Sequence, residues 1–293
     1  MNEVNTKTLK ERSATRNLVS HLMKDRLAVI GLILVILITS SAILAPLIVP
    51  HNPNKINVRH RLKGPSAENW LGTDQLGRDV FSRVIVGSRI ALQVALVSIT
   101  IAGSCGLLLG MMAGYGSKKL DGILIILFDT VRSFPTIMFA LAVVTLVGPS
   151  LNTIILVVII TSIPVYGRIV RTQTQALKHN EFILAEKAMG AGKLRILGVH
   201  ILPNVIGPLL IIASMDIPVV VTIEAGLSFL GLGVRPPTAS WGSILNDGYA
   251  FIRNTPWLVI AGGAPLILTT LGFTFFGEAL RDVFDPKLRQ EII

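Results

Sequence analysis

The sequence predicts an all-α polytopic membrane protein with six transmembrane helices. Three observations carry this. Only 15% of residues are charged and 51% are hydrophobic, whereas soluble domains carry about 25% charged residues. Mean hydropathy is +0.67. Uncharged runs recur that are long enough to cross a hydrocarbon layer of about 30 Å. The net charge of +10 then reports topology and anionic headgroups rather than nucleic acid, because no basic stretch is interleaved with aromatics. Cys105 is the single cysteine, which excludes an internal disulfide and a cysteine-based metal cluster. Within an apolar run it reads as a buried thiol.

Residues 1–26 are polar and basic, with Lys7, Lys10, Arg12, Arg16, Lys24 and Arg26 outweighing Glu3, Glu11 and Asp25. So long a polar lead does not fit a cleaved signal peptide, and it reads as a cytoplasmic tail. The first span follows at 27–49, an uncharged run with Pro46 and Pro50 at its outer end. Positive charge before it sets the amino terminus inside. An extracytoplasmic loop is predicted for 50–89. It places Lys55, Arg59, Arg61, Lys63, Arg78, Arg83 and Arg89 outside, against the positive-inside tendency, with Glu68, Asp74 and Asp79 as partial compensation. Such a loop is either a surface that receives another protein or a set of structural caps and turns.

The remaining core is predicted over 90–281. Its first span, Ile90 to Ala113, is rich in small residues, among them Ala91, Ala95, Ala102, Gly106 and Gly110, which let helices approach closely in lipid. The third span, Ile123 to Val147, carries Asp129, Arg132 and Pro135. Three residues apart, Asp129 and Arg132 can pair on one face, and Pro135 would kink the helix. Charges at membrane depth mark a structural ion pair or the wall of a transport route. The fourth span ends near Arg168, with Pro164 kinking its inner end. The fifth, Ile201 to Phe229, is interrupted by Pro203, Pro208 and Pro218 and contains Asp216 and Glu224. A broken helix needs neighbours or water for its freed backbone groups, so its acids face a route or a partner helix. An extracytoplasmic segment at 229–256 is expected to form an interfacial helix, with Trp241 and Trp257 at headgroup level. The sixth span runs from Trp257 to Phe276, and 282–293 is a cytoplasmic tail.

Between the fourth and fifth spans lies a polar stretch, 178–204. Phe182, Ala185 and Met189 recur at helical steps, with Glu181, Glu186 and Lys187 between them. Gly190 and Gly192 then mark a break at which one short helix turns into another. A charged helical hairpin with exposed small residues reads as a docking handle.

The run E-F-I-L-A-E-K-A-M-G-A, followed by H-I-L-P-N, resembles the signature cytoplasmic loop of ABC-importer permease subunits. Leu184, Ala185 and Glu186 stand where that family has Glu-Ala-Ala, and His200 replaces the usual Ile, so the docking role carries over but no specific Glu contact does. Trp70–Arg83 (W-L-G-T-D-Q-L-G-R-D-V-F-S-R), Ser228–Gly248 and Gly277–Arg289 resemble the C-type branch that serves dipeptide, oligopeptide and nickel importers. The resemblance implies the type I ABC-importer permease fold. It implies ATPase coupling through Glu181, Phe182, Ala185, Glu186, Ala188, Gly190, Ala191 and Arg195. Asp129, Arg132, Asp216 and Glu224 become candidates for the translocation path. The implied partners are a homologous second permease, two ATPase subunits, an extracytoplasmic substrate-binding protein and the lipid bilayer. The implied place is the bacterial inner membrane, with both termini cytoplasmic, and the implied cargo a peptide or a nickel chelate.

The chain has no G-x-x-x-x-G-K-[ST]; the nearest string, Gly190 to Leu194, lacks the first glycine and the Ser or Thr. ATP would therefore be held by partner subunits, and no cofactor is expected here. His21, His51, His60, His179 and His200 have no metal-ligand spacing. Gly226–Leu230 lacks the closing glycine of a nucleophile elbow, so Ser228 reads as a turn residue and no catalytic residue is expected. Two other classes stand beside this reading. An ion-coupled secondary transporter needs intramembrane ion sites and usually an inverted repeat, and no internal repeat is visible. An intramembrane hydrolase needs a paired nucleophile and base.

Overall fold

The computed structural model describes residues 25–284; residues 1–24 of the tail predicted for 1–26, and residues 285–293 of the tail predicted for 282–293, lie outside the described residues. The regular elements are helices: α1 (Arg26–Ile48), α2 (Val80–Tyr115), α3 (Lys118–Arg132), α4 (Thr136–Val147), α5 (Leu151–Lys178), α6 (Glu181–Ala188), α7 (Lys193–Arg195), α8 (Leu202–Met215), α9 (Ile217–Phe229), α10 (Trp241–Ala250) and α11 (Pro256–Phe284). Among the described residues, five stretches are long and apolar enough to cross a membrane, and six if the bent pair α3–α4 counts as one.

Several boundaries differ from the sequence reading, each for a local reason. The second span starts at Val80 rather than Ile90, because the Asp79 carboxylate accepts from Ser82 N at 2.8 Å and caps the helix there. Pro135 does not merely kink the third span: α3 and α4 meet at 82°. Proline has no N–H to give and forces the residue before it out of the helical region. The fourth span continues past Arg168 to Lys178, with Pro164 inside it. In the fifth, Pro203 and Pro218 occupy first-turn positions, where a missing N–H costs nothing. The break falls at Asp216, between α8 and α9. Ser228 lies within α9 rather than in a turn, and Trp241 is 1% exposed, packed against the other helices. Its indole Nε1 donates to Val84 O at 2.9 Å, pinning α10 to α2.

The core is organised on the α2–α5 contact, the most extensive helix pair among the described residues. Gly106, Gly110 and Gly114 repeat every fourth residue along one face of α2. A Cβ on Gly106 would lie 2.5 Å from Tyr166 Cβ; on Gly110, 2.5 Å from Gly167 O; on Gly114, 2.6 Å from Thr174 Cβ. Hydrocarbon gives helices no hydrophobic incentive to associate, so close backbone approach through small residues supplies the attraction. Gly167 continues the stack outward, since a Cβ there would meet the Phe128 ring of α3 at 2.5 Å. At the periphery α1 packs on α11 through Gly31 and Gly272.

At the Val80 end of α2, the segment Leu71–Arg83 folds into a buried ionic cap. Asp74, Arg78, Asp79 and Arg83 are each at most 5% exposed. Asp74 Oδ1 accepts from Leu76 N at 2.8 Å and Arg78 N at 2.9 Å, while Oδ2 accepts from Arg78 Nε at 2.6 Å. Arg83 Nε stands 3.4 Å from the same oxygen, and Arg78 Nη2 stands 3.8 Å from Asp247 of α10. Gly77 (φ +71°) turns the chain where a Cβ would fall 1.8 Å from Asn57 O. The motif charges are thus caps and turns, and two of the arginines that strained the charge bias are paired internally.

Two outcomes follow from these packings. Gly110→Ala should destabilise by about 1–3 kcal/mol through overpacking, whereas Gly122→Ala, which meets nothing within 4 Å, should be neutral or stabilising. Thermal unfolding of the purified chain in detergent reads both. Asp74→Asn leaves two buried guanidinium groups without their shared anion and should cost about 3–5 kcal/mol. Asp129→Asn, at an exposed pair, should cost under about 1 kcal/mol in the same assay.

Candidate functional site

Two features concentrate the candidate residues: the hairpin α6–α7 at one end of the bundle, and the interrupted helices. In the hairpin, Asn180 precedes α6 and Gly190 follows it with φ +83°, a left-handed conformation that favours glycine. Gly192 then opens α7, which passes through a π-helical segment, Ile196–Ile201, into α8. The expected helix-to-helix turn at the two glycines is present. A Cβ at Gly190 would meet nothing within 4 Å, so the backbone angle, rather than space within this chain, calls for glycine.

One side of the hairpin is anchored. Ile183, Ile196 and Ile201 are buried, and Ala191 packs against the core. Lys178 Nζ and Lys187 Nζ sit 5.5 Å and 5.3 Å from the centroid of the Tyr115 ring at the end of α2. Lys178 Nζ also donates to Tyr115 O at 3.2 Å. Half-buried Glu186 lies 3.4 Å from His200 Nε2 of the π segment. The other side is open. Phe182, Leu184, Met189 and Leu194 are 44%, 49%, 75% and 86% exposed, and Glu181, Ala185, Ala188 and Arg195 are exposed among them. The face of Phe182, Ala185 and Met189 therefore points away from the bundle, and Ile183 is the one side chain of α6 that is buried.

The four candidates for the path do not converge. Asp129 pairs with Arg168 of α5 and not with Arg132, which corrects the expected i,i+3 pair. The cause is packing: α3 lies along α5, and Arg168 reaches Asp129 from that neighbour, while Arg132 ends exposed in the last turn of α3. Farther along the same helix pair, Arg171 Nη2 donates to Asp121 Oδ2 at 2.7 Å. Asp216 is half-buried at the α8–α9 break, beside the hydroxyl of buried Tyr166. Glu224 is fully buried; Ser228 Oγ donates to its Oε1 at 2.6 Å, and its Oε2 has no partner. It is enclosed by this chain's own helices and reaches no open surface, so only Asp129, Arg132 and Asp216 of the four have exposed atoms.

Sequence reasoning missed the Tyr115 clamp, the Arg168 and Arg171 partners, and the burial of the Asp74 network. Arg168 and Arg171 carried a signal, lying three apart on α5 as Asp121 and Asp129 lie two turns apart on α3. The Tyr115 clamp joins residues far apart in sequence and leaves no local pattern.

Residues 106–290 match the family described as binding-protein-dependent transport system inner membrane component. Residues 13–65 match the N-terminal transmembrane domain of oligopeptide transport permease C. A dipeptide transport system permease protein of Alkalihalophilus pseudofirmus is 39% identical over 277 residues, 94% of this chain and 91% of that protein. A probable D,D-dipeptide transport system permease protein of Escherichia coli is 36% identical over 261 residues, 89% and 88% of the two chains. Among solved structures, an inward-facing MetNI methionine ABC transporter chain superposes with TM-score 0.56 at 20% identity, covering 69% of this chain and 97% of that one. An amino acid ABC transporter chain gives 0.54 at 16%, covering 68% and 92%. These structures share the fold, that of type I ABC-importer permeases. With its fold, its spans and its relatives agreeing, the chain belongs to the binding-protein-dependent transport system inner membrane components, in the C-type peptide permease branch.

Proposed function

We propose that this chain forms half of the translocation path of an ATP-driven importer of dipeptides or oligopeptides. The observation that carries the reading is the open apolar ridge of α6–α7, set on an anchored base at one end of a membrane bundle. The family relatives named for dipeptide transport support the cargo class. In this reading the chain has no catalytic residue of its own. It pairs with a second, homologous permease and receives cargo from an extracytoplasmic binding protein. Two ATPase subunits dock on the hairpin and hold the ATP. The hairpin and both termini face the cytoplasm.

The mechanism is a shift between inward- and outward-open populations. Exposed Phe182, Met189 and Leu194 enter a cleft of the ATPase, and Ala185 and Ala188 let the surfaces close. Ile183 and the two lysines on Tyr115 keep α6 from sliding on its base, so a displacement of the hairpin passes to the end of α2. The π segment passes it to α8, and the Asp216 break lets α8 turn relative to α9. Asp129, Arg132 and Asp216 are then placed to border the path as the spans rearrange.

Replacing Gly190 by Leu should abolish peptide uptake and ATPase co-purification while membrane content stays at wild-type level. A β-carbon at positive φ costs about 1–2 kcal/mol and reorients α7. Wild-type uptake in Gly190→Leu, or uptake that persists without the ATPase subunits, overturns the proposal in favour of a coupling independent of ATP.

A further inference from the structure

Where the chain leaves α1 and turns into the Pro50–Pro53 segment, a groove of about 480 Å³ opens between α1 and α2. Its wall includes Pro46, Pro50 and Pro53, which present no backbone donors, together with Val86, His51 and Arg89. Arg89 is exposed in the third turn of α2. The two acids of the cap are already engaged: Asp74 by Arg78 and Arg83, Asp79 by Ser82 and Asn69. Among the described residues, no carboxylate lies within ion-pair distance of Arg89. His51 lines the groove as well, with its Nδ1 turned toward Asp79 Oδ2 3.8 Å away. Its α1 side is formed by Ala45, Pro46 and Val49, and on the same last turns of α1 Ile43 and Leu47 are 73% and 81% exposed. Those side chains belong to the apolar belt of an otherwise uncharged span.

A cation at the rim of that belt, above a trough of apolar side chains, has the layout of a phospholipid site. The guanidinium fork matches two phosphate oxygens, and its stem crosses the apolar wall. We propose that the groove binds one anionic phospholipid, with its phosphate on Arg89 and an acyl chain along Ile43 and Leu47. The apolar end of the α1 span, which forms one wall of the groove and stands exposed beside it, selects a lipid over a free phosphate, which would have no use for that wall. The site needs no assumption about cargo or nucleotide.

The test is native mass spectrometry of the full chain, in whatever complex it purifies, titrated with phosphatidylglycerol or phosphatidylcholine. Wild type should hold one phosphatidylglycerol about fivefold more tightly than phosphatidylcholine, the effect of one cation near a headgroup. Arg89→Ala should abolish that preference and Arg89→Lys should keep most of it. Val86→Trp fills the groove with Arg89 intact and should remove the site for both lipids, which decides the matter if Arg89→Ala does not fold. Unchanged preference in Arg89→Ala, or unchanged binding in Val86→Trp, overturns the proposal. Displacement of phosphatidylglycerol by millimolar inorganic phosphate also overturns it, marking a site for a soluble anion.

Discussion

Close approach of α2 and α5 is the constraint on which the other helices depend. Three glycines on α2 bring two backbones together where any β-carbon would collide. Dispersion over that length replaces the hydrophobic drive that lipid cannot provide. Everything placed by this seam follows. Phe128 reaches Gly167 from α3, so Asp121 and Asp129 meet Arg171 and Arg168 rather than their own helix neighbours. Lys178, at the end of α5, arrives at Tyr115 only because the two helices run together to that end. The hairpin inherits its position from there.

Polarity within the bundle sorts into two regimes. The cap at Asp74 is dry and densely bonded, so its charges are structural. The pairs between α3 and α5 are wetter, with Asp129 and Arg168 each about half exposed, and such pairs contribute roughly 0–1 kcal/mol. A pair that weak costs little to open, which suits a helix face that rearranges. Glu224 is as dry as that cap but sparsely bonded, with Ser228 on its Oε1 inside the α9–α10 corner and nothing on its Oε2.

Much of this was legible in the sequence where a single local rule governed. Apolar runs gave the spans, Gly190 and Gly192 gave the turn of the hairpin, and the small residues of the second span announced a tight contact. Boundaries failed where a polar side chain outweighed hydropathy: Asp79 caps α2 inside what reads as loop, and α5 runs on through charged residues once α3 supplies their partners. The packing of Trp241 had no local signal either, since the carbonyl that satisfies its N–H belongs to distant α2. Which acid faces a route and which is sealed depends on neighbours distant in the chain. No periodicity encodes that.

The spans differ in one further respect. α1, α5, α8 and α11 each contain an internal proline, and α3–α4 is severed beside one. α2 has none along its 36 residues, about 54 Å at the usual helical rise. That exceeds the hydrocarbon thickness, so the helix joins both aqueous faces as one unjointed rod. Its ends are gripped by different machinery, the ionic cap at Val80 and the lysine pair at Tyr115. A tilt imposed at either grip must reappear at the other with opposite sense, so events on the two sides of the membrane are mechanically tied through this one member.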